Sequence, residues 1–313
     1  MKFEAAHWAL ILGGSSGFGL ATAQKLARHG MNVCVVHRDR RGAMAAIETG
    51  FEAIRATGVG FVSFNLDALS TDGRAKVLDE LVAKNVRVRL LMHSIAFGNL
   101  KLVGPLPESH GTAAARARAE LAARLGVDEA KLTEAVNAIS ESGEAGDALA
   151  HLASPPAYDP DARLEDEDFE RTVYSMGTSL ATWAEDVFAR ELFAADARVI
   201  GMTSEGNEVA WRGYAAVSAA KVALESVSRS LALELGPFGV RSNVVQAGVT
   251  DTPALRLIPG SGQMKAAARL KNPLGRLTTP ADVADFIALL CTDEARWVNG
   301  ALIRVDGGEH IAG

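Results

Sequence analysis

Apolar runs rich in β-branched residues recur along the chain at positions 8–12, 32–36, 60–64, 86–92, 198–202, 240–246 and 301–305, with helical apolar spacing between them. A strand covered on one face alternates apolar and polar residues. These runs do not alternate, which predicts strands buried on both faces. Helical segments between such strands require right-handed crossovers and therefore a parallel sheet. The pattern predicts a doubly wound, Rossmann-type α/β fold around a mostly parallel, seven-stranded sheet.

One interval breaks the rhythm. After Met92 no core helix is predicted until about Phe169, far longer than a structureless connection in a compact domain. Within it an Ala/Arg-rich helix bearing Leu121 and Leu125 ends at Gly126. Asp128 then caps a second helix with Leu132, Val136 and Ile139 on one stripe. Pro155, Pro156 and Pro160 close the interval, and an acidic run occupies 165–168. We read 104–165 as a helical hairpin inserted into one domain that spans 1–313. It follows the fourth strand, at the rim where this fold gathers ligands, so its expected role is a lid over a substrate pocket. The alternative is a surface ornament or a subunit contact. Arg116, Arg118 and Arg124 on the hairpin would suit an acidic carrier protein.

Bulk properties narrow the function classes. With 48% hydrophobic and 22% charged residues, the 313-residue chain is composed as an ordinary globular protein. Its net charge of -6 supplies no global basic surface, which argues against nucleic acid or an anionic membrane as main partner. The apolar run at 8–12 is too short for a signal sequence or a membrane span, so a cytoplasmic location is expected. Cys34 and Cys291 both sit by apolar runs and are expected as buried thiols, neither disulfide-bonded nor metal-ligating.

The first chemical signal is Gly13-Gly14-Ser15-Ser16-Gly17-Phe18-Gly19, directly after the first strand and opening a helix. Glycines let the backbone turn tightly and approach a pyrophosphate, while free N–H groups at the helix start attract the anion. A Gly-rich turn alone is often only a turn; the strand before it and the helix after it carry the functional reading. At the end of the second strand, where an acidic residue would select NADH, stand His37, Arg38, Arg40 and Arg41. Such a cluster is commonly a solvated loop, but here it favours the 2'-phosphate of NADPH, with NADH second. The second signal is Tyr214 and Lys221, seven residues apart and so on one face of a helix. The Lys is expected to lower the Tyr pKa and to reach a cofactor ribose. Ser204, just past the fifth strand, completes the candidate catalytic set, although a lone Ser there is more often a turn residue.

Together these residues resemble the short-chain dehydrogenase/reductase family, along nearly all of the chain apart from the insertion. The resemblance rests on Gly13, Gly17 and Gly19; Asn65-Leu66; His93-Ser94-Ile95-Ala96; Ser204, Tyr214 and Lys221; the stretch Ala247-Gly248-Val249-Thr250-Asp251-Thr252; and Val305-Asp306-Gly307-Gly308. It implies that Ser15, Ser16 and Phe18 line the cofactor phosphates and that Asn65 and Leu66 meet the adenine. It further implies that Ser94, Ile95 and Ala96 meet the ribose region, and Gly248, Thr250 and Thr252 the nicotinamide end. The usual catalytic pair of that family is Tyr-x3-Lys, but here Val217 stands four residues before Lys221 and Tyr214 a turn earlier. That spacing, with His93-Ser94-Ile95-Ala96-Phe97, resembles the enoyl-acyl-carrier-protein reductase branch. The glycine loop keeps the ordinary family spacing. Met176 stands where ketoreductases usually carry an Asn that holds a relay water, and Ser204 where many enoyl reductases place a second Tyr.

The resemblance implies reduction of the C=C bond of an α,β-unsaturated acyl thioester, carried by coenzyme A or an acyl carrier protein. Hydride would reach the β-carbon, and Tyr214 would stabilise the enolate. A homotetramer or homodimer is also implied. Two alternatives stay open: an NADPH-dependent reductase of 3-oxoacyl or other carbonyl substrates, and a non-catalytic nicotinamide-nucleotide sensor.

Overall fold

A computed structural model describes residues 2–106, 112–141 and 144–312, so positions 107–111 and 142–143 of the predicted insertion lie outside the described residues. The elements are, in order, β1 (His7–Leu12), α1 (Gly17–Arg28), β2 (Asn32–His37), α2 (Met44–Arg55), β3 (Phe61–Asn65), α3 (Thr71–Ala83) and β4 (Arg87–His93). There follow α4 (Ala113–Leu125), α5 (Glu129–Glu141), α6 (Asp166–Val173), α7 (Ser179–Ala189), β5 (Phe193–Ser204) and α8 (Ala215–Glu234). The chain ends with β6 (Val240–Ala247), α9 (Pro253–Arg256), α10 (Ser261–Lys271), α11 (Pro280–Leu290) and β7 (Leu302–Val305). They form two compact units. One comprises Met1–Leu100, Leu164–Ala247 and Thr279–Val305; the other comprises Lys101–Arg163, Gly248–Thr278 and Asp306–Gly313.

The first unit holds a seven-stranded sheet of order β3-β2-β1-β4-β5-β6-β7 in which every neighbouring pair is parallel. Successive side chains of a strand point to opposite faces. In β1, Ala9 and Ile11 therefore join a core with α1, α2 and α11, while Leu10 and Leu12 join another with α3, α7 and α8. All four are fully buried, which explains the continuous apolar run. Each buried Leu or Ile side chain contributes about 1.5–3 kcal/mol. The strand order reverses direction at β1, between β2 and β4, and loops at the carboxyl ends there form the crevice in which this fold binds ligands.

β5 begins at Phe193, five residues before the predicted start, because Asp196 and Arg198 interrupt the apolar pattern without interrupting the strand. Their charges are satisfied within the first unit. Arg89 of β4, Arg198 of β5 and Arg241 of β6 converge on the Asp196 carboxylate, the first two at 2.9 and 2.7 Å. Arg198 Nε also donates to Leu290 O at 2.7 Å and Arg89 Nε to Cys291 O at 3.0 Å, at the C-terminus of α11. There the helix dipole favours a cation. Cys34 and Cys291 are free and buried, as expected, and burial pushes the Cys291 thiol up to about 12. Both thiols are inert at neutral pH.

In the second unit the predicted hairpin is present. Gly126 ends α4 in the left-handed conformation at φ 66°, and Asp128 Oδ1 accepts from the N–H groups of Ala130 and Lys131 at the start of α5. A 3-10 stretch, Glu144–Leu152, follows. Its Asp147 is buried and takes two 2.5 Å contacts from Arg269 of α10, and Gln263 of α10 donates to Ser154 O at 2.8 Å. The insertion is thus tied to the segment after β6, a pairing that no local sequence pattern shows. The acidic run at 165–168 proves to be the first turn of α6, where Asp168 accepts from the Glu165 N–H at 3.1 Å. Carboxylates there complement the helix dipole. No helix among the described residues is long and apolar enough to cross a membrane.

Candidate active site

The glycine loop joins β1 to α1 in the first unit. Gly13 adopts φ +82° and Gly17 φ +52°, conformations that side-chain-bearing residues rarely take. A Cβ on Gly13 would lie 2.4 Å from Ser94 O, and one on Gly19 2.2 Å from Gly13 O. At these two glycines the loop is pressed against the segment after β4 and against itself, so only backbone can be accommodated there. Ser16 is the N-cap of α1, yet its side chain caps none of the opening N–H groups. That cradle of small residues and uncapped donors fits a pyrophosphate. Ser15 lies in the turn, and Phe18 packs its ring against the core on the α1 face.

At the end of β2 the predicted residues separate. His37 is buried, edge-on to Phe51, with Nδ1 2.9 Å from Asp39 Oδ2. Its side chain belongs to the core, whereas Arg38, Arg40 and Arg41 are exposed. Asp39, an acid that the sequence reading passed over, is held by that histidine and by the Asn65 side chain. Asn65 Oδ1 accepts from Asp39 N at 3.0 Å, and Asn65 Nδ2 donates to Asp39 O at 3.1 Å. Asn65 therefore braces the Arg38–Asp39 turn. Leu66 N donates to His37 O at 2.9 Å, and Ser94 N to Leu12 O at 2.8 Å. Ile95 packs on the α3-side core, and Ala96 is exposed.

The catalytic candidates meet at the end of β5 and the start of α8. Tyr214 is the N-cap residue of α8, and Lys221 is buried two turns later. The Lys221 ammonium donates to Met202 O at 2.8 Å, and burial pulls its pKa down to about 8 although the Glu225 carboxylate opposes the shift. Burial raises the Tyr214 pKa, and Ser204 alone works against that. The expectation that Lys221 lowers the Tyr pKa is thus corrected: in this structure the phenol is kept protonated. Ser204 Oγ is buried beside Tyr214 without a fully formed hydrogen bond, so the two hydroxyls face one another at the margin of bonding. His93, at the end of β4, is buried with Nε2 2.8 Å from Ser179 Oγ. Burial first, and the Lys221 charge second, push its pKa down to about 3, which keeps it neutral.

Two residues that sequence reasoning missed build this arrangement. Glu225 accepts from Thr203 Oγ1 at 3.0 Å and from Asn207 Nδ2 at 2.7 Å, clamping the Ser204 turn onto α8. Its position four residues after Lys221 on one helix was the available signal. Gly206 lies where a Cβ would be 2.4 Å from Tyr214 Cε1, so it makes room for the ring. Around Tyr214, Met176, Val217 and Ala220 form a buried apolar cluster with Leu100 and Val173. Met176 sits in a π-helical turn, Tyr174–Thr178, and Gly98 packs so closely that a Cβ would be 2.8 Å from Met176 Sδ and 2.9 Å from Val217 Cγ2. π-turns of this kind often mark functional sites.

The remaining predicted cofactor residues belong to the second unit. There Thr250 Oγ1 donates to Gly248 O at 2.9 Å, and Thr252 caps α9 by accepting from Leu255 N at 3.2 Å. A Cβ on Gly248 would lie 2.5 Å from Thr278 Oγ1, so close packing requires the glycine. No cluster of metal-ligating side chains exists among the described residues.

Residues 7–109 match the family described as short chain dehydrogenase, and residues 108–310 match the family described as enoyl-(acyl carrier protein) reductase. The uncharacterized oxidoreductase YjdA of Bacillus subtilis is 33% identical over 159 residues, 51% of this chain and 61% of that protein. Cis-4-hydroxycyclohexanecarboxylate dehydrogenase of Sinomonas cyclohexanicum is 32% identical over 161 residues, 51% and 63% of the two chains. Enoyl-[acyl-carrier-protein] reductase [NADH] FabI of Aquifex aeolicus is 30% identical over 150 residues, 47% and 56%. The chain thus spans little more than half the length of these curated relatives. The solved structure of the Aquifex aeolicus VF5 enoyl reductase superposes over 99% of both chains with a TM-score of 0.70 at 20% identity, a likeness of fold. With both family matches lying on the glycine loop, the parallel sheet and the Tyr214–Lys221 helix, the chain belongs to the short-chain dehydrogenase/reductase family.

Proposed function

We propose that this chain is an NADPH-dependent reductase of the carbon–carbon double bond of α,β-unsaturated acyl thioesters. One observation carries the reading: the positions of the ordinary family Tyr and of the relay Asn are Val217 and Met176, packed together in a buried apolar cluster, while the phenol stands one turn earlier at Tyr214. A phenol moved by one turn suits a substrate whose carbonyl carbon lies two carbons beyond the atom that receives the hydride. Among the described residues, the cluster that joins Met176 and Val217 contains no amide side chain to hold a relay water for a ketone reduction.

When bound, the dinucleotide supplies the hydride for the β-carbon. The glycine loop and the start of α1 hold the pyrophosphate, and Arg38 meets the 2'-phosphate. The neutral Tyr214 hydroxyl donates to the thioester oxygen, where negative charge collects as the enolate forms; such a donor is worth about 3 kcal/mol. Lys221 holds the ribose and adds positive potential beside that oxygen. Ser204 Oγ, at the margin of bonding with Tyr214, is available as a second donor. Because the Aquifex relative is named for NADH, the NADPH preference rests on this chain's own Arg38.

The test is NADPH oxidation with 2-enoyl and 3-oxoacyl thioesters, each offered on coenzyme A and on acyl carrier protein. Turnover of the enoyl thioesters alone is expected. Turnover of 3-oxoacyl thioesters or cyclic ketones instead would establish the carbonyl reading, which the similarity to a cyclohexane-ring dehydrogenase favours. Cofactor binding without any turnover would leave a sensor.

A further inference from the structure

The ring of Phe97, four residues past β4, carries two guanidinium groups. Arg38 Cζ lies over it at 4.9 Å from the centroid and Arg171 Cζ, on α6, at 4.8 Å. The two cations are thus no farther apart than about 10 Å, a Debye length at 0.1 M salt, so salt weakens their mutual repulsion without abolishing it. Arg38 has one carboxylate partner, Asp67 Oδ2 at 3.1 Å. Arg171 is exposed and pairs with no carboxylate among the described residues. One negative charge therefore serves two positive ones, and the pair retains a net attraction for an anion.

The platform is built rather than incidental. Ser175 Oγ donates to Phe97 O at 2.5 Å, and Thr172 Oγ1 accepts from Asn99 N at 3.0 Å, which fastens the loop after β4 to α6. In the sheet β2 and β4 flank β1, so a contact between Arg38, after β2, and Phe97, after β4, spans the carboxyl end of β1, where the glycine loop starts. A dinucleotide in this fold lies across that crevice.

We propose that Phe97 and Arg171 are specificity-determining residues for the 2'-phosphate of NADPH, Phe97 by holding both guanidinium groups and Arg171 as the second cation. This rests on the NADPH reading given above. A phosphate monoester carries close to two negative charges at neutral pH and so occupies two cations, whereas NADH presents only a hydroxyl there.

The experiment measures Kd for NADPH and NADH by fluorescence titration in the full chain. The variants are Arg38→Gln, Arg171→Gln, Phe97→Leu and Phe97→Tyr. Arg171→Gln is expected to weaken NADPH about tenfold and NADH less than about twofold, the loss of one charge-assisted contact. Phe97→Leu should shift the ratio in the same direction and Phe97→Tyr, which keeps the π face, should restore it. The intact NADH affinity doubles as the control for folding. If the unmodified protein and Arg38→Gln behave as the NADPH reading requires while Arg171→Gln and Phe97→Leu keep the wild-type ratio, the inference is overturned and the reading stands. Equal losses for both cofactors in Arg171→Gln would also overturn it. A wild-type preference for NADH would remove the reading and the inference together.

Discussion

Lys221→Met should make the cofactor-free protein more stable at pH 7 and nearly inactive. Lys221 is 8% exposed, and its pKa stands at about 8 against an ordinary 10.5. A folded pKa below the unfolded one means that the native state binds this proton less tightly than the unfolded chain. The penalty is complete below pH 8, where both states are protonated. It shrinks as pH rises from about 8 to 10.5, because the native state has then already lost the proton. At about 1.4 kcal/mol per unit the penalty is about 3 kcal/mol. Methionine keeps an unbranched stem and removes the charge, but leaves Met202 O without the donor it has at 2.8 Å, a loss of about 1 kcal/mol. The variant should therefore gain about 1–3 kcal/mol at pH 7. Urea unfolding of both proteins at pH 7, 8.5 and 10, at equal m-values, measures it. Their difference cancels every other titrating group, so it should narrow with rising pH and change sign once only the lost hydrogen bond remains. A variant no more stable than the wild type at pH 7, or a gap that does not respond between pH 8 and 10.5, would refute the reasoning.

Tyr214→Phe should lower kcat on the best thioester by about a hundredfold or more while NADPH affinity changes less than about twofold, as kinetics and titration would show. Arg38→Asp should reverse the preference between NADPH and NADH in the same titrations. Asp196→Asn should cost about 3 kcal/mol, because the buried Arg89 and Arg198 lose their shared counter-charge. Burial pushes the Asp196 carboxyl up, but Arg198, Arg89 and Arg241 outweigh it and hold the pKa below 3.8. The stabilisation is therefore present above that ordinary value and is lost as pH falls through the folded one, so wild type and Asp196→Asn should converge in acid unfolding curves. Gly98→Ala should lower thermal stability by about 1–3 kcal/mol, since its Cβ would press on Thr172 Cγ2 at 2.7 Å as well as on Met176 and Val217. Calorimetry reads that loss directly.

The strands were legible because burial on both faces writes itself into consecutive residues: Leu10 and Ile11 face opposite cores, and both must be apolar. The glycine loop and the ends of α4 and α5 were legible for a similar reason, since the backbone conformation at Gly13 and Gly126 and the capping at Asp128 restrict residue type locally. The Tyr214–Lys221 pair was legible as spacing along one helix. Its electrostatics were not, because the pKa values of both groups are set by what surrounds them: burial from every side, Met202 O on another element, and Ser204 at the end of a strand. The start of β5 was hidden by Asp196 and Arg198, whose charges are tolerated in the strand only because Arg89, Arg241 and the last carbonyls of α11 meet them there. His37 read as a cofactor ligand beside Arg38, and only packing against Phe51 and pairing with Asp39 turned its ring into the core. Local rules thus determined which residues are apolar, turned or capped, whereas partners brought together from distant strands and helices decided which charges are buried, which proton each site holds and which arginine faces solvent.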